Sequence, residues 1–493
     1  MATLAARASE RTGENERTRK RRKDARSIER NDVEAGLASA TARWYLTPRM
    51  SHQPKKLAIL VGGGPAPGIN AVIGAATIRA VLSGSEVVGV LDGFSHIMKG
   101  DVSRVRPLSI DEVSRIHFRG GSHLGISRAN PTKSQEHLEE CVLSLLRLGV
   151  DKLVTIGGDD TAFSSSQIEK QSKGRLRVAH VPKTIDNDLD LPDETCTFGF
   201  QTARHVGVSL VENLMVDAKT TRRWYFLIAM GRKAGHLALG IGKAAGASLT
   251  IIPEEFQEPH VRLQKVVDIL VGAIVKRLAY GREDGVAVIA EGIVERMDET
   301  DLAQLVGVER DSHGHVRIAE INIGEILKER VQKRLAEFGL KPTVVSKNIG
   351  YELRCSDPIP FDMEYSRDLG YSAAKYLCEG GNRALVALIH GHFEAIPFDA
   401  MMDPATGRMR VRMVDIGSDR YMIARRYMLR LRGDDFDDPS ELAKFASTLG
   451  LSIEQFSREF SYIVANEPIP RSFFPEGGAP THSVLPPPVR GAP

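Results

Sequence analysis

A chain of 493 residues has room for two to four domains and a sizeable buried core. Its 66 Lys and Arg against 63 Asp and Glu leave a formal charge of +3, which excludes the strongly basic signature of a dedicated nucleic-acid binder and confines any basic site to a local cluster. Four cysteines, at 141, 196, 355 and 378, form no CxxC or zinc-ligand spacing. No apolar run reaches the roughly 18 residues that span a bilayer, and the amino terminus lacks an apolar signal core, so a reduced cytoplasmic protein with neither membrane nor nucleic-acid partner is expected.

Residues 1–49 are dense in both charge signs and poor in apolar side chains until Trp44 and Tyr45. They are expected to be a disordered extension, with the basic cluster Arg19 to Lys23 part of a solvated tail. Met50 opens the segment in which folding is expected to begin. From there short β-branched runs alternate with helical stretches. LAILV (57–61) precedes a helix over 69–82, EVVGVL (86–91) follows, and a helix over 135–148 leads into KLVTIGG (152–158). LRVAHV (176–181), an amphipathic stretch over 202–216, WYFLIAM (224–230) and a Gly- and Ala-rich helix over 236–245 continue the rhythm, as do SLTIIP (248–253), a helix over 261–279 and VAVIA (286–290). Strands separated by crossover helices predict an α/β fold of largely parallel sheets covered on both faces, and the length suits two such sheets. No internal repeat is visible. The stretch 461–493 reads as a Pro- and Gly-rich tail, of which PEGGAPTHSVLPPPVRGAP (475–493) is expected to be unstructured.

Three loops carry candidate chemistry. Gly62-Gly63-Gly64-Pro65-Ala66-Pro67-Gly68 stands between a strand and a helix, where glycines let backbone amides approach an anion and the helix N-terminus adds partial positive charge; a tight structural turn is the alternative. Pro67 stands where a dinucleotide-binding fingerprint needs its third glycine, and no GxxxxGK[ST] occurs. Gly157-Gly158-Asp159-Asp160-Thr161 again follows a strand. A magnesium ion on phosphates needs only one or two protein carboxylates, and Asp159 is placed to supply one, unless Asp159 or Asp160 merely caps the helix. Pro182-Lys183-Thr184-Ile185-Asp186-Asn187-Asp188 lies at the strand edge where ligands collect in open α/β sheets. There Lys183 can neutralise phosphate charge and Asp186 can accept a hydroxyl proton, with an Asx-rich turn as the plain alternative.

Together with Met230-Gly231-Arg232, these loops closely resemble the phosphofructokinase family. GGGPAPGIN, GGDDT, PKTIDND, MGR, AEG and GYELRCSDPIPFD occur in family order through roughly residues 55–400. The resemblance implies two lobes of largely parallel sheet flanked by helices: a phosphate-donor lobe over 50–198 and a sugar-phosphate lobe with C-terminal helices over 199–460. Asp160 and Lys183 resemble the pyrophosphate-dependent branch, where ATP-dependent members usually carry glycine and often a small residue. Carried over position by position, the resemblance implies that Gly63, Gly64, Gly158, Asp160 and Lys183 bind the donor and that Asp159 binds magnesium. It further implies that Asp186 takes the proton of the sugar 1-hydroxyl, and that Thr184 and Ile185 line the same site. Arg128, in GGSHLGISR, matches an arginine near the transferred phosphoryl group. Met230, Gly231, Arg232 and Glu291 match fructose 6-phosphate contacts, and Tyr351 and Arg354 match residues that hold its distal phosphate. Arg223 matches an arginine that in multimeric relatives reaches into a neighbour's site, although Arg222 stands beside it. Pro65 and Tyr351, where bacterial ATP enzymes carry aspartate and histidine, resemble the pyrophosphate branch.

The resemblance thus implies a Mg²⁺-dependent, reversible transfer of phosphoryl from pyrophosphate to the 1-hydroxyl of fructose 6-phosphate by a homo-oligomer, a dimer or a tetramer. An ATP-dependent 6-phosphofructokinase is the nearest rival. A non-catalytic regulatory subunit of the same fold is disfavoured because Asp159, Lys183, Asp186, Arg232 and Arg354 are all present. The region after residue 400 carries no motif, and its architecture is left open.

Overall fold

The computed structural model describes residues 55–303, 321–465 and 467. The charged extension 1–49 and the Pro- and Gly-rich stretch from 468 lie outside these residues.

Within β1 (Lys56–Val61), successive side chains point to opposite faces, and both faces are apolar. Leu57, Ile59 and Val61 pack with Ile69, Val72 and Ile73 of α1 (Ile69–Leu82), while Ala58 and Leu60 pack with Leu138, Val142 and Leu145 of α2 (Gln135–Arg147). The same logic builds β2 (Glu86–Val90), β3 (Val105–Pro107), β4 (Val150–Gly157), α3 (Asp159–Ser172) and β5 (Arg177–Pro182). The chain then runs through α4 (Phe200–Thr221), β6 (Trp224–Ala229), α5 (His236–Ala245), β7 (Leu249–Ile251), α6 (Leu263–Ala279), β8 (Gly285–Ala290), α7 (Ile323–Glu337) and β9 (Val344–Ile349). The last elements of the sheets are α8 (Pro360–Cys378), β10 (Ala384–Ile389) and β11 (His392–Pro397).

Seven strands form one sheet in the order β11-β10-β5-β4-β1-β2-β3, and four form a second in the order β7-β8-β6-β9. The second is parallel throughout; the first is parallel except at its two edges, β3 and β11. Register decides where the loops go. Val61 pairs with Ile156, and Ile156 pairs with Val181, so β1, β4 and β5 end level and their loops leave the same edge side by side. Ala229 likewise pairs with both Ala290 and Ile349, which brings Met230, Glu291 and Gly350 level at the carboxyl edge of the second sheet.

The lobes are not the contiguous stretches 50–198 and 199–460. β10 adds to β5 with Ala384 opposite Ala179, and α8 lies on α1 so closely that a Cβ on Gly370 would collide with the backbone of Val72. Residues 360–397 therefore complete the first lobe, covering the β5 edge. Asp362 of α8 ties the lobes together: its carboxylate accepts the amides of Gly199 and Thr202 and the Thr202 hydroxyl at 2.6–2.9 Å, at the N-terminus of α4. The helices α9 (Asp419–Tyr427), α10 (Pro439–Thr448) and α11 (Ile453–Phe460) pack on the second lobe, α9 through Tyr421 and Ala424 and the other two through Phe445, Phe456 and Phe460. Order continues past 460: the Tyr462 hydroxyl donates to Asp268 at 2.7 Å, and Glu467 accepts the Gly433 amide at 2.8 Å. Residues 461–465 and 467, expected to belong to the Pro- and Gly-rich tail, thus sit with the second lobe, because an aromatic and a carboxylate find partners there.

Candidate active site

At the end of β1 the chain turns through Gly63 at φ 85, a left-handed conformation that costs glycine little. The amides of Gly62 and Gly63 are already used, donating to the carbonyls of Ile156 at 2.9 Å and Ser127 at 2.8 Å. In this conformation these two amides are therefore not free to meet an anion, and what the glycines leave is room for close backbone approach. A Cβ on Gly64 would stand 2.8 Å from Nη2 of Arg354, so a larger residue there would displace the guanidinium. In α1, Asn70 donates to the carbonyls of Arg119 and Gly120 at 3.0 and 3.2 Å and accepts the His123 amide at 2.7 Å. It thereby pins the loop leading to the exposed Arg128, whose neighbour Ser127 bridges to Gly62.

Gly158 occupies the cap position of α3, and Asp159 and Asp160 fill its first turn, where the helix dipole favours negative charge. Asp159 accepts the Asp160 amide at 2.9 Å and pairs with Nζ of Lys233 at 2.7 Å, while Asp160 is exposed. After β5, Lys183 is buried and its ammonium donates to the carbonyl of Gly64. Burial, followed by the positive charge of Arg354, lowers its pKa to about 8; Arg128 adds to the effect, and Asp186 and Asp188 oppose it. Asp186 is half-buried as a residue, yet its Oδ1 is sealed from solvent and has no hydrogen-bond partner. Burial, then the charges of Asp188 and Glu291, push its carboxyl up to about 7, against the backbone amide of Arg232 and the guanidinium of Arg354. Asp188 is raised as well, by burial and by Asp159. Thr184 orders this turn, its hydroxyl accepting the Asp186 amide at 3.0 Å.

From the second lobe Glu291 accepts the Gly231 amide at 3.4 Å, and Met230 donates its amide to Ile349 at 3.0 Å. The Arg232 side chain points outward to Glu295 at 2.7 Å. Arg354 lies with its guanidinium 5.4 Å from the ring centroid of Tyr351, which is exposed, and reaches across to Gly64.

The structure therefore brings Gly64, Gly158, Asp159, Lys183, Thr184, Asp186, Arg354, Glu291 and the backbone of Gly231 and Arg232 to one cleft between the two carboxyl edges, with Asp160 and Arg128 at its rim. Two expected residues stand apart. Ile185 buries its side chain in the apolar core, leaving only backbone for a ligand. Arg223 precedes β6 at the edge opposite Met230, about 20 Å away at ~3.3 Å per strand residue, with Asp217 at 4.0 Å as its ion pair. Asp188, Lys233 and Asn70 were not singled out from sequence. The first lies inside the PKTIDND segment, the second directly follows MGR, and the third ends GGGPAPGIN, so proximity to motif residues is the signal that marks them. Among the described residues no group of three or more His, Cys, Asp or Glu is gathered as for a metal ion. Cavities of about 370 and 590 Å³ open elsewhere, beside Gly285 and beside Lys56 at the amino ends of the strands, opposite the edge where open sheets bind ligands.

A sequence model of the family described as Phosphofructokinase matches residues 56–377. The chain is 54% identical over 414 residues to the pyrophosphate--fructose 6-phosphate 1-phosphotransferase of Thermotoga maritima, covering 82% of this chain and 98% of that one. It is 48% identical over 417 residues to the enzyme of the same name from Naegleria fowleri, covering 83% and 95%. In fold it is similar to the pyrophosphate-dependent phosphofructokinase of Nitrosospira multiformis, with a TM-score of 0.58 at 16% identity over 81% of this chain and 92% of that one.

Proposed function

The chain belongs to the phosphofructokinase family, and from that membership we propose that it transfers a phosphoryl group reversibly from pyrophosphate to the 1-hydroxyl of fructose 6-phosphate, giving fructose 1,6-bisphosphate and phosphate. One observation carries the mechanism: the solvent-sealed, unpartnered oxygen of Asp186 stands in a cleft that also holds Lys183 and Arg354. A half-buried carboxylate with one oxygen unpartnered is poised to take a proton, and a carboxyl raised to about 7 has the affinity a general base needs near neutral pH. As the sugar oxygen forms its bond to the transferred phosphorus, its proton goes to Asp186 and the bond to the departing phosphate breaks. Lys183 and Arg354 offset the charge that collects on the phosphates. In reverse, protonated Asp186 returns the proton to the same oxygen.

Magnesium suits the acidic side of this cleft, because Asp159 and Asp188 repel each other there and a divalent cation relieves that repulsion. Asp159 and Asp188 would hold it, and it would supply positive charge that offsets the charge of the pyrophosphate. Gly231, Glu291, Tyr351 and Arg354 would orient the sugar phosphate. Arg223, remote from this cleft, serves the site of a neighbouring copy in this reading, which makes the enzyme a homo-oligomer. The test is an assay of purified protein with fructose 6-phosphate and magnesium, given pyrophosphate or ATP in parallel. Saturable turnover with pyrophosphate is expected; turnover with ATP alone overturns the donor.

A further inference from the structure

Residues 409–414 lie beyond the stretch matched to the family, yet they run against the loop that carries Asp186. Val411 bridges antiparallel to Leu189, and the Arg412 amide donates to the carbonyl of Asp188 at 2.8 Å. The Arg412 guanidinium closes on the residue between the two carboxylates. Its Nη2 donates to Asn187 Oδ1 at 2.6 Å and to the Asn187 carbonyl at 3.1 Å, while Nη1 donates to the Thr195 carbonyl at 3.0 Å. Asn187 is buried and holds φ 57, a left-handed turn that asparagine tolerates better than most residues but does not prefer. That turn sets the directions in which the residues on either side of it project.

The strap is anchored on the sugar side too. The Arg412 carbonyl accepts from Nε2 of His236 at 3.1 Å, which requires the proton on that nitrogen, and burial keeps the ring neutral by lowering its pKa to about 4. Glu254 takes the amides of Val414 at 3.0 Å and Gly235 at 2.8 Å, joining the strap to the turn that follows Met230-Gly231-Arg232.

We propose that Arg412 is a positioning residue for phosphoryl transfer: its fork holds Asn187 in the left-handed turn, and thereby aims Asp186 and Asp188 into the cleft. The inference rests on the proposed phosphotransferase activity, though not on the identity of the donor. A fork needs a planar guanidinium, which a lysine ammonium cannot imitate.

The test compares the full-length enzyme with Arg412→Met and Arg412→Lys, assayed with whichever of pyrophosphate or ATP the wild type uses. Folded Arg412→Met is expected to lose about 10²-fold in kcat, the cost of a base misplaced by about 1 Å, with little change in KM for fructose 6-phosphate. Arg412→Lys is expected to lose turnover too while melting like the wild type, and it decides the matter if Arg412→Met does not fold. Added guanidinium ion should restore part of the lost turnover where sodium chloride of equal ionic strength does not, a response that a purely structural role does not produce. Wild-type turnover in the folded variants, or a loss that follows the folded fraction and ignores guanidinium, overturns the proposal. A wild type that uses only ATP overturns the pyrophosphate assignment and leaves the Arg412 comparison readable. A wild type inactive with both donors overturns the functional reading, and this proposal with it.

Discussion

Asp186 holds an oxygen that neither water nor a protein donor reaches, an arrangement that weakens the fold when the group is charged. Its carboxyl is raised from the ordinary range to about 7, so the native state favours the protonated form and loses stability as pH climbs from about 4 to about 7. Asp186→Asn should therefore melt higher than the wild type by a margin that widens across that interval. Its turnover should fall about 10²–10⁴-fold while fructose 6-phosphate still binds. Calorimetry at several pH values with single-turnover kinetics measures both, and near-normal turnover would reassign the base. Lys183 supplies the other limb. It works as a cation, and its pKa is lowered to about 8, so kcat/KM in the forward direction should rise through about pH 7 as Asp186 ionises and fall above about pH 8 as Lys183 loses its proton. A profile flat through both regions removes both roles. In the proposed reading, exposed Asp160 would meet the additional α-phosphate of ATP with like charge, whereas buried Lys183 would favour a small leaving phosphate. Asp160→Gly with Lys183→Gly should shift the kcat/KM ratio of pyrophosphate to ATP towards ATP by more than either change alone, and an unmoved ratio rejects the pair as gatekeepers.

At the scale of elements, much was legible locally. The helix expected over 69–82 spans Ile69–Leu82, and the strands expected at 57–61, 86–91, 152–158, 176–181, 224–230 and 286–290 all form to within two residues at each end, because their apolar runs are short and bounded by Gly or charged residues. The helix expected over 202–216 extends to Phe200–Thr221, since Asp362 of α8 caps its first turn from a remote part of the chain. β9 was not read as a strand: Ser346, Lys347 and Asn348 break its apolar run, and it is an edge strand whose outer side needs no apolar cover. Capping across the lobes gives a prediction of its own. Asp362→Ala deprives two amides and a buried hydroxyl of their acceptor, and should destabilise the protein by about 1.5–3 kcal/mol in urea unfolding, the range for hydrogen bonds to a charged group. Unchanged stability in that variant would mean that water replaces the carboxylate at the start of α4.

For the molecule as a whole, the cleft requires two sheets that present their carboxyl edges to each other, and every residue in it lies between Gly64 and Arg354. Residues 1–49 contribute none of these groups and are poor in core-forming side chains. A chain beginning at Met50 should therefore keep the kcat/KM and melting temperature of the full chain. A clear fall in either would show that the extension packs on the enzyme. The carboxyl-terminal region bears differently on function: 360–397 complete the first lobe and, in the proposed reading, 409–414 brace the base, so truncation before 414 should abolish turnover even though the family motifs end earlier.

Local chemistry was written in the order of residues. Glycine at the strand ends, acidic residues at the start of α3 and the Lys183-to-Asp188 run each sit within a few positions of one another, and parallel strands of matched length carry such loops to one edge without further information. What the chain could not disclose by itself depends on contacts between distant segments. Arg354 beside Gly64, Arg412 around Asn187 and β10 on β5 join residues separated by 200 positions or more, and no periodicity records which strand a later strand will join. Ionisation belongs to the same class. An aspartate in a PKTIDND segment has an ordinary carboxyl until the fold removes its water and sets Asp188 and Glu291 nearby, so the property that suits Asp186 to accept a proton comes from desolvation and neighbouring charge, both of which exist only once the two lobes have closed around it.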